Sequence, residues 1–294
     1  MKIAIISSLA VLGAVLIGCA STKAGKAEQL EKAQHRTVQL SKGAMDVYDF
    51  GKVKLHAFKT NDPISDECFL VEKKGQAFLI ESPAFFDNIA ELEKYIKDLG
   101  VEYKGTVIAY HGAGATLMKG SPVYSTKNAT DYNTNGGGAA LVNSFAGAFG
   151  SAFDKSIYKT TNFIEGDSFT LAGVKMRITR TDEAFDIEIP EINAVYTHML
   201  GHDSHSIVAG AAHADTMIAS LNGYIEKNIS LILTSHYAPE NLDDVKTKIA
   251  YLQDLKDIAS KNSTAASFKA AVQKKYGAYS GLNYLDMTAN FFYK

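Results

Sequence analysis

The chain is 294 residues long, enough for one large globular domain, and sets 30 basic against 32 acidic side chains for a formal net charge of −2. That near-neutral balance leaves no basic face for a nucleic acid, and two cysteines cannot build a disulfide framework.

At the N-terminus, Lys2 precedes an apolar run from Ile3 to Ile17 that is too short to span a bilayer and has the length of an export signal. The run leads into Leu16-Ile17-Gly18-Cys19, which resembles the bacterial lipobox; an ordinary signal peptide that happens to contain a cysteine is the blander alternative. The resemblance implies that residues 1–18 are a removed signal peptide and that Cys19 is acylated, holding the protein on membrane lipid. Ala20, where an Asp would favour inner-membrane retention, points to the outer membrane of the cell envelope. Cys68 is then the last thiol, and its apolar strand context reads as structural. Residues 19–45 are polar and rich in Lys, Glu, Gln and Ala, and are read as a tether, helical in part from Ala27 to His35. Residues 46–294 form the folded domain, and no second apolar run is long enough to cross a membrane.

Val53 to Phe58 alternates with period two, and Cys68–Glu72 with Gln76–Ile80 is a hairpin around Lys73-Lys74-Gly75. Ile89, Leu92, Ile96 and Leu99 give a helical stripe that Gly100 ends. Val107–Tyr110 and Pro122–Tyr124 are short strands, and the polar stretch 126–138, ending in three glycines, is expected to be a flexible loop. A helix over Ala139 to Phe153 aligns Phe145, Phe149 and Phe153, a stripe read as core packing before a hydrophobic lid. Phe163 to Thr181 reads as two strands joined through Leu171-Ala172-Gly173, followed by a strand pair, Asp186–Pro190 with Ala194–Thr197. Helices over Asp215–Lys227, Asp243–Ser260 and Ser267–Tyr276 flank a buried strand, Ile229–Thr234.

Within this order, Thr106 to Thr116 is a buried strand running into His111-Gly112-Ala113-Gly114-Ala115-Thr116. It resembles the metallo-β-lactamase superfamily motif, a strand followed by H-x-H-x-D-H. Only His111 of its four functional positions is kept; Ala113, Ala115 and Thr116 offer zinc no usable side chain. Glu81 stands at the family's first acidic position, Phe185 where a third motif brings a His, His198 where an Asp bridges two metals, and His236 where the last core strand ends in a His. The resemblance implies an α/β (α+β) fold, a four-layered αββα sandwich, with a degenerate metal site. Phe185 is expected to fill the cavity with apolar volume, and the small residues beside His111 to leave space.

Four of the eight histidines lie between His198 and His213, so a rearranged centre of His111, His198 and His236 is conceivable, with Glu81 or Asp203 assisting. In a helical turn, His202 would share a face with His198 or His205, although Gly201 argues against a long helix. Polar-loop or satisfied core histidines are the bland alternative. The pocket is thus expected around Glu81, Ala113, Ala115, Thr116, Phe185, His202 and His205. The favoured expectation is a lipoprotein that binds an unidentified small molecule and is not a standard hydrolase, with no cofactor. The alternative is a hydrolase of an ester, lactone or thioester with one divalent metal, zinc if any.

Overall fold

The computed structural model describes residues 33–294; Cys19 and the signal and tether residues before 33 lie outside the described residues. Strands β1 (Gln34–Leu40), β2 (Gly43–Asp49), β3 (Lys54–Thr60), β4 (Glu67–Lys73), β5 (Gln76–Ile80), β6 (Glu102–Val107), β7 (Val123–Ser125) and β8 (Asn162–Phe163) lie side by side in that order in one sheet. Pairing is antiparallel from β1 to β5 and parallel from β5 to β8. The second sheet runs β13 (Leu231–Thr234), β12 (Ala194–Thr197), β11 (Phe185–Ile189), β10 (Val174–Arg180), β9 (Ser168–Leu171), with β12 and β13 its parallel pair. Helices α1 (Phe86–Leu99), α2 (Lys127–Asn135), α3 (Gly137–Phe149), α4 (Ala211–Glu226), α5 (Leu242–Ser260), α6 (Ala265–Lys275) and α7 (Leu282–Phe292) complete the described residues. None is long and apolar enough to cross a membrane.

Strand alternation explains the four layers. Leu55, Ala57, Phe69, Val71, Phe78 and Ile80 point from the first sheet toward Val174, Met176, Phe185, Ile187 and Tyr196 of the second, forming the inter-sheet core. The intervening residues of the first sheet, Phe58, Cys68, Leu70 and Leu79, face the other way and pack on Ile89, Leu92 and Ile96 of α1. Val195 and Ile232 do the same for the second sheet against Val245, Leu252 and Leu255 of α5 and Phe268 of α6. The result is the expected αββα sandwich. Cys68 is buried, and burial pushes its thiol well above the usual range, as suits a structural residue.

Two local expectations are corrected, and the reading of Gly201 as a residue that stops a helix holds. Residues 34–45 belong to the large sheet: β1 and β2 form a hairpin, and Met45 and Val47 are buried under α1. The polar composition of β1 reflects an edge strand with most of its residues exposed. Residues 127–135 are helix α2, not flexible loop. Thr126 caps it, its side chain accepting from the Ala129 N–H, and only Ala129 and Asn133 are buried, so the surface is polar. Gly137 and Gly138 let α3 turn tightly off α2; a Cβ on either would meet Tyr132 or Asn133 at 2.9 Å or less. No helix forms over 198–205, because Gly201 sits at φ +58 and the Ser204 N–H bonds back to its carbonyl.

Candidate metal centre

Three strand ends converge on one rim of the sandwich. His111 lies beyond β6 of the first sheet, while His198 and His236 follow β12 and β13 of the second. Parallel pairing of Thr197 with Thr234 puts the last two on the same rim, and the Ser235 N–H donates to the His198 carbonyl at 3.0 Å. The Nε2 atoms of His111 and His198 are 3.1 Å apart. Ring centroids lie 5.0 Å apart for His111 with His198, 5.0 Å for His111 with His236 and 5.5 Å for His198 with His236.

The electrostatics prepare these rings as neutral ligands. Burial, reinforced by His198 and His236, holds His111 well below the ordinary histidine range. Burial and then His236 lower His198 to about 4. Burial also lowers His236, opposed by the Ile64 backbone, the Asp62 charge and the Ser65 backbone. Unprotonated imidazoles are the metal-binding form. The three nitrogens lie within 4.8 Å of one another and could hold a metal ion. Zinc–nitrogen bonds of about 2.0–2.1 Å separate donors on a tetrahedral ion by ~3.3 Å, close to the His111–His198 spacing, so the residues fit a single divalent ion.

Glu81 is not beside the rings as a ligand; it builds the turn that carries one of them. Its Oε1 accepts the N–H of Ala109 at 3.0 Å and of Tyr110 at 2.8 Å, and its Oε2 that of His111 at 3.0 Å. Burial pushes its carboxyl up to about 7, opposed by these three donors and by Tyr196. Tyr110 stacks on His198, with centroids 4.9 Å apart and planes 12° off parallel, and its hydroxyl donates to Asp186 at 2.5 Å. Glu81 and Asp186 therefore act separately, one on the His111 backbone and one on the ring that backs His198.

The other expected pocket residues are spoken for elsewhere. Phe185 is fully buried in the inter-sheet core with Ile187 and Ile189, and does not separate the imidazoles. Nor do the small residues leave space: a Cβ on Gly112 would meet Asn133 at 2.8 Å, and one on Gly114, at φ +86, would meet the Pro83 carbonyl at 2.3 Å. Ala113 packs with Phe85, Val142 and Phe153, and Ala115 against Ile108, Val123 and Tyr158. The Thr116 hydroxyl donates to Asp154 at 2.7 Å, which also accepts from the Ser156 hydroxyl and N–H. His202 bonds Glu240 at 2.8 Å, and His205 bonds the Tyr251 hydroxyl at 3.0 Å beside buried Lys248. The phenylalanine stripe packs against Phe85 as core. Phe149 also borders a groove of about 450 Å³ with Phe85, Phe86, Asn61, Asp62 and Lys42.

Sequence reasoning missed Asp62, Asp66 and Asp154, buried carboxylates in turns. Their spacing looks like ordinary polar loop, and Asp66 meets His236 only through the fold.

The sequence matches no protein-family model and no curated protein. Among solved structures, the fold is similar to a double mutant of the sec-alkyl sulfatase PisA1, at 15% identity and TM-score 0.56 over 91% of this chain and 51% of that one. It is also similar to a metallo-β-lactamase family protein from Thermus thermophilus, at 12% identity and TM-score 0.56 over 80% of this chain and 91% of that one. The sec-alkylsulfatase Pisa1 from Pseudomonas sp. gives 16% identity and a TM-score of 0.53 over 81% and 48%. The chain thus spans about half the length of the sulfatases and nearly all that of the Thermus protein. The likeness shows a metallo-β-lactamase-like fold.

Proposed function

We propose that this chain is a metal-dependent hydrolase with a single-ion centre of His111, His198 and His236, acting on an ester, lactone or thioester. The observation that carries the reading is the convergence of three imidazoles, lowered in pKa, with two Nε2 atoms 3.1 Å apart. A divalent ion, zinc by donor type, would supply Lewis-acid polarisation and a more acidic water. The chain's own residues do the positioning: Glu81 fixes the backbone at His111, and Tyr110, anchored by Asp186, backs the His198 ring. Relative to the superfamily motif the centre is rebuilt, since Ala113, Ala115 and Thr116 are packed or bonded elsewhere. That same replacement favours a second reading, a protein that binds a small molecule through the ion without turnover, because Ala115 brings no carboxylate to move a proton.

The lipobox-like Leu16-Ile17-Gly18-Cys19 supports an acylated protein held by lipid at the outer membrane. Replacing Cys19 by Ser should release it from the membrane fraction and abolish labelling by a radioactive fatty acid.

Element analysis of the purified protein should find about one equivalent of zinc or another divalent metal. His198→Ala should lose both the metal and turnover of chromogenic ester, lactone or thioester substrates. A wild-type protein that takes up no metal on titration would overturn the reading; metal without turnover of any of the three would favour the binding protein.

A further inference from the structure

Among the described residues, five of the seven buried side-chain polar atoms without a hydrogen-bond partner belong to Asp62, Asp66, Glu67 and His236. They meet where the β3–β4 turn packs on the end of β13, with the Glu67 N–H donating to the Ser235 carbonyl at 2.6 Å. The carboxylates do not converge as a second ion site: the histidine group is the cluster with metal-holding spacing among the described residues. One pair does face off. Asp66 Oδ1 lies 3.7 Å from His236 Nδ1, and neither atom makes a full hydrogen bond.

The turn is built to hold that carboxylate in place. Asp62 Oδ1 accepts the N–H of Ile64 at 3.0 Å and of Asp66 at 3.3 Å. Thr60 donates its N–H and hydroxyl to the Asp66 carbonyl at 3.1 and 2.7 Å. Between them Ser65 takes φ +54. The Asp66 backbone is thus fixed on both sides, and the Ala84 backbone N–H also reaches its carboxyl, leaving Oδ1 without a hydrogen bond. The imidazole meets acceptors here: the Asp66 carboxylate, with the backbone of Ile64 and Ser65. A ring nitrogen that faces acceptors must carry the hydrogen, which leaves the lone pair on the other nitrogen.

We propose that Asp66 is the positioning residue of His236: its carboxylate accepts the Nδ1 hydrogen, fixes the tautomer and turns Nε2 toward His111 and His198. Closing the gap by about 0.8 Å makes a hydrogen bond of ordinary length; burial and the Asp62 and Glu81 charges raise the Asp66 carboxyl well above its ordinary range, and a carboxyl oxygen accepts in either state. Its consequence for an ion rests on the proposed three-histidine centre; its consequence for the tautomer does not.

The test uses two variants and two readouts on the purified protein. Asp66→Leu should weaken Zn(II) binding by about 10–100-fold, the usual worth of such an outer carboxylate. Asp66→Asn, which keeps a carbonyl acceptor, should recover much of that loss. Nitrogen-15 NMR of the metal-free wild type should show His236 as the Nδ1–H tautomer, and Asp66→Leu a mixture. Zinc affinity unchanged within twofold in Asp66→Leu, or an Nε2–H tautomer in the wild type, would overturn the proposal. If Asp66→Leu does not fold, the wild-type spectrum and the Asn variant still decide. If the wild type binds no zinc, the ion centre fails while the tautomer readout stands on its own.

Discussion

Replacing Glu81 by Gln isolates the one side chain that shapes the His111 turn. The carboxyl accepts three backbone N–H groups, two on Oε1 and one on Oε2. A glutamine has one acceptor oxygen; oriented to keep Ala109 and Tyr110, it points its NH₂ at the His111 N–H. A neutral Glu81 avoids this conflict, because its hydroxyl oxygen still has a lone pair for the His111 N–H where an amide NH₂ has none. Leaving one buried N–H unpaired costs about 1–3 kcal/mol, and 1 kcal/mol moves Tm by about 2–4 °C in a domain of this size. The expected fall is therefore roughly 2–12 °C, read by thermal melts in EDTA so that no ion contributes. The pH dependence has a definite sign. Burial raises the folded-state pKa from 4.5 to about 7, so the folded protein holds this proton longer than the unfolded chain. Stability from this group is then complete below about 4.5 and declines as pH rises toward 7, narrowing the gap to the glutamine variant. A melt unchanged within 1 °C at pH 5 would refute the reasoning.

Two further outcomes follow from the packing. Lys248 is buried, donates to the carbonyls of Gly201 and Ser204 at 2.8 and 2.7 Å, and is lowered by burial to about 7. The unfolded chain therefore holds that proton up to about 10.5, so wild-type stability should rise between pH 7 and 10; Lys248→Met, compared by urea midpoints, should lose that rise while being less stable throughout, and an identical pH slope would contradict it. Gly114→Ala would drive a Cβ to 2.3 Å from the Pro83 carbonyl at a left-handed φ; it should destabilise by at least ~1–3 kcal/mol and weaken zinc binding by displacing the turn after His111, and a stable, zinc-competent variant would show the turn to be tolerant.

The sandwich was legible because its inner strands alternate cleanly. Leu55 and Ala57, Phe69 and Val71, and Phe78 and Ile80 carry the inter-sheet core at every second position. The edge and surface elements were not, since β1 exposes most of its residues and α2 buries only Ala129 and Asn133; α7 lacks a capping side chain at Gly281 and left no start signal. His111, His198 and His236 could be named as a group because each follows a strand that reads as buried. What their neighbours do could not be read. Glu81 looked like an acid assisting the centre, Phe185 like a plug and Gly112-Ala113-Gly114 like empty space. Whether a carboxylate faces a metal or a row of amides, and whether a glycine borders a cavity or another chain segment, is decided by contacts across many residues of sequence.

His111 hangs from one sheet, while His198 and His236 hang from the other. Whatever engages all three also staples the two leaves of the sandwich at their rim. Ligand occupancy and resistance to unfolding are then one quantity, growing as RT ln(1 + [L]/Kd), so a protein stripped by chelator should open first along this seam, with amide exchange quickening in the strands that end there.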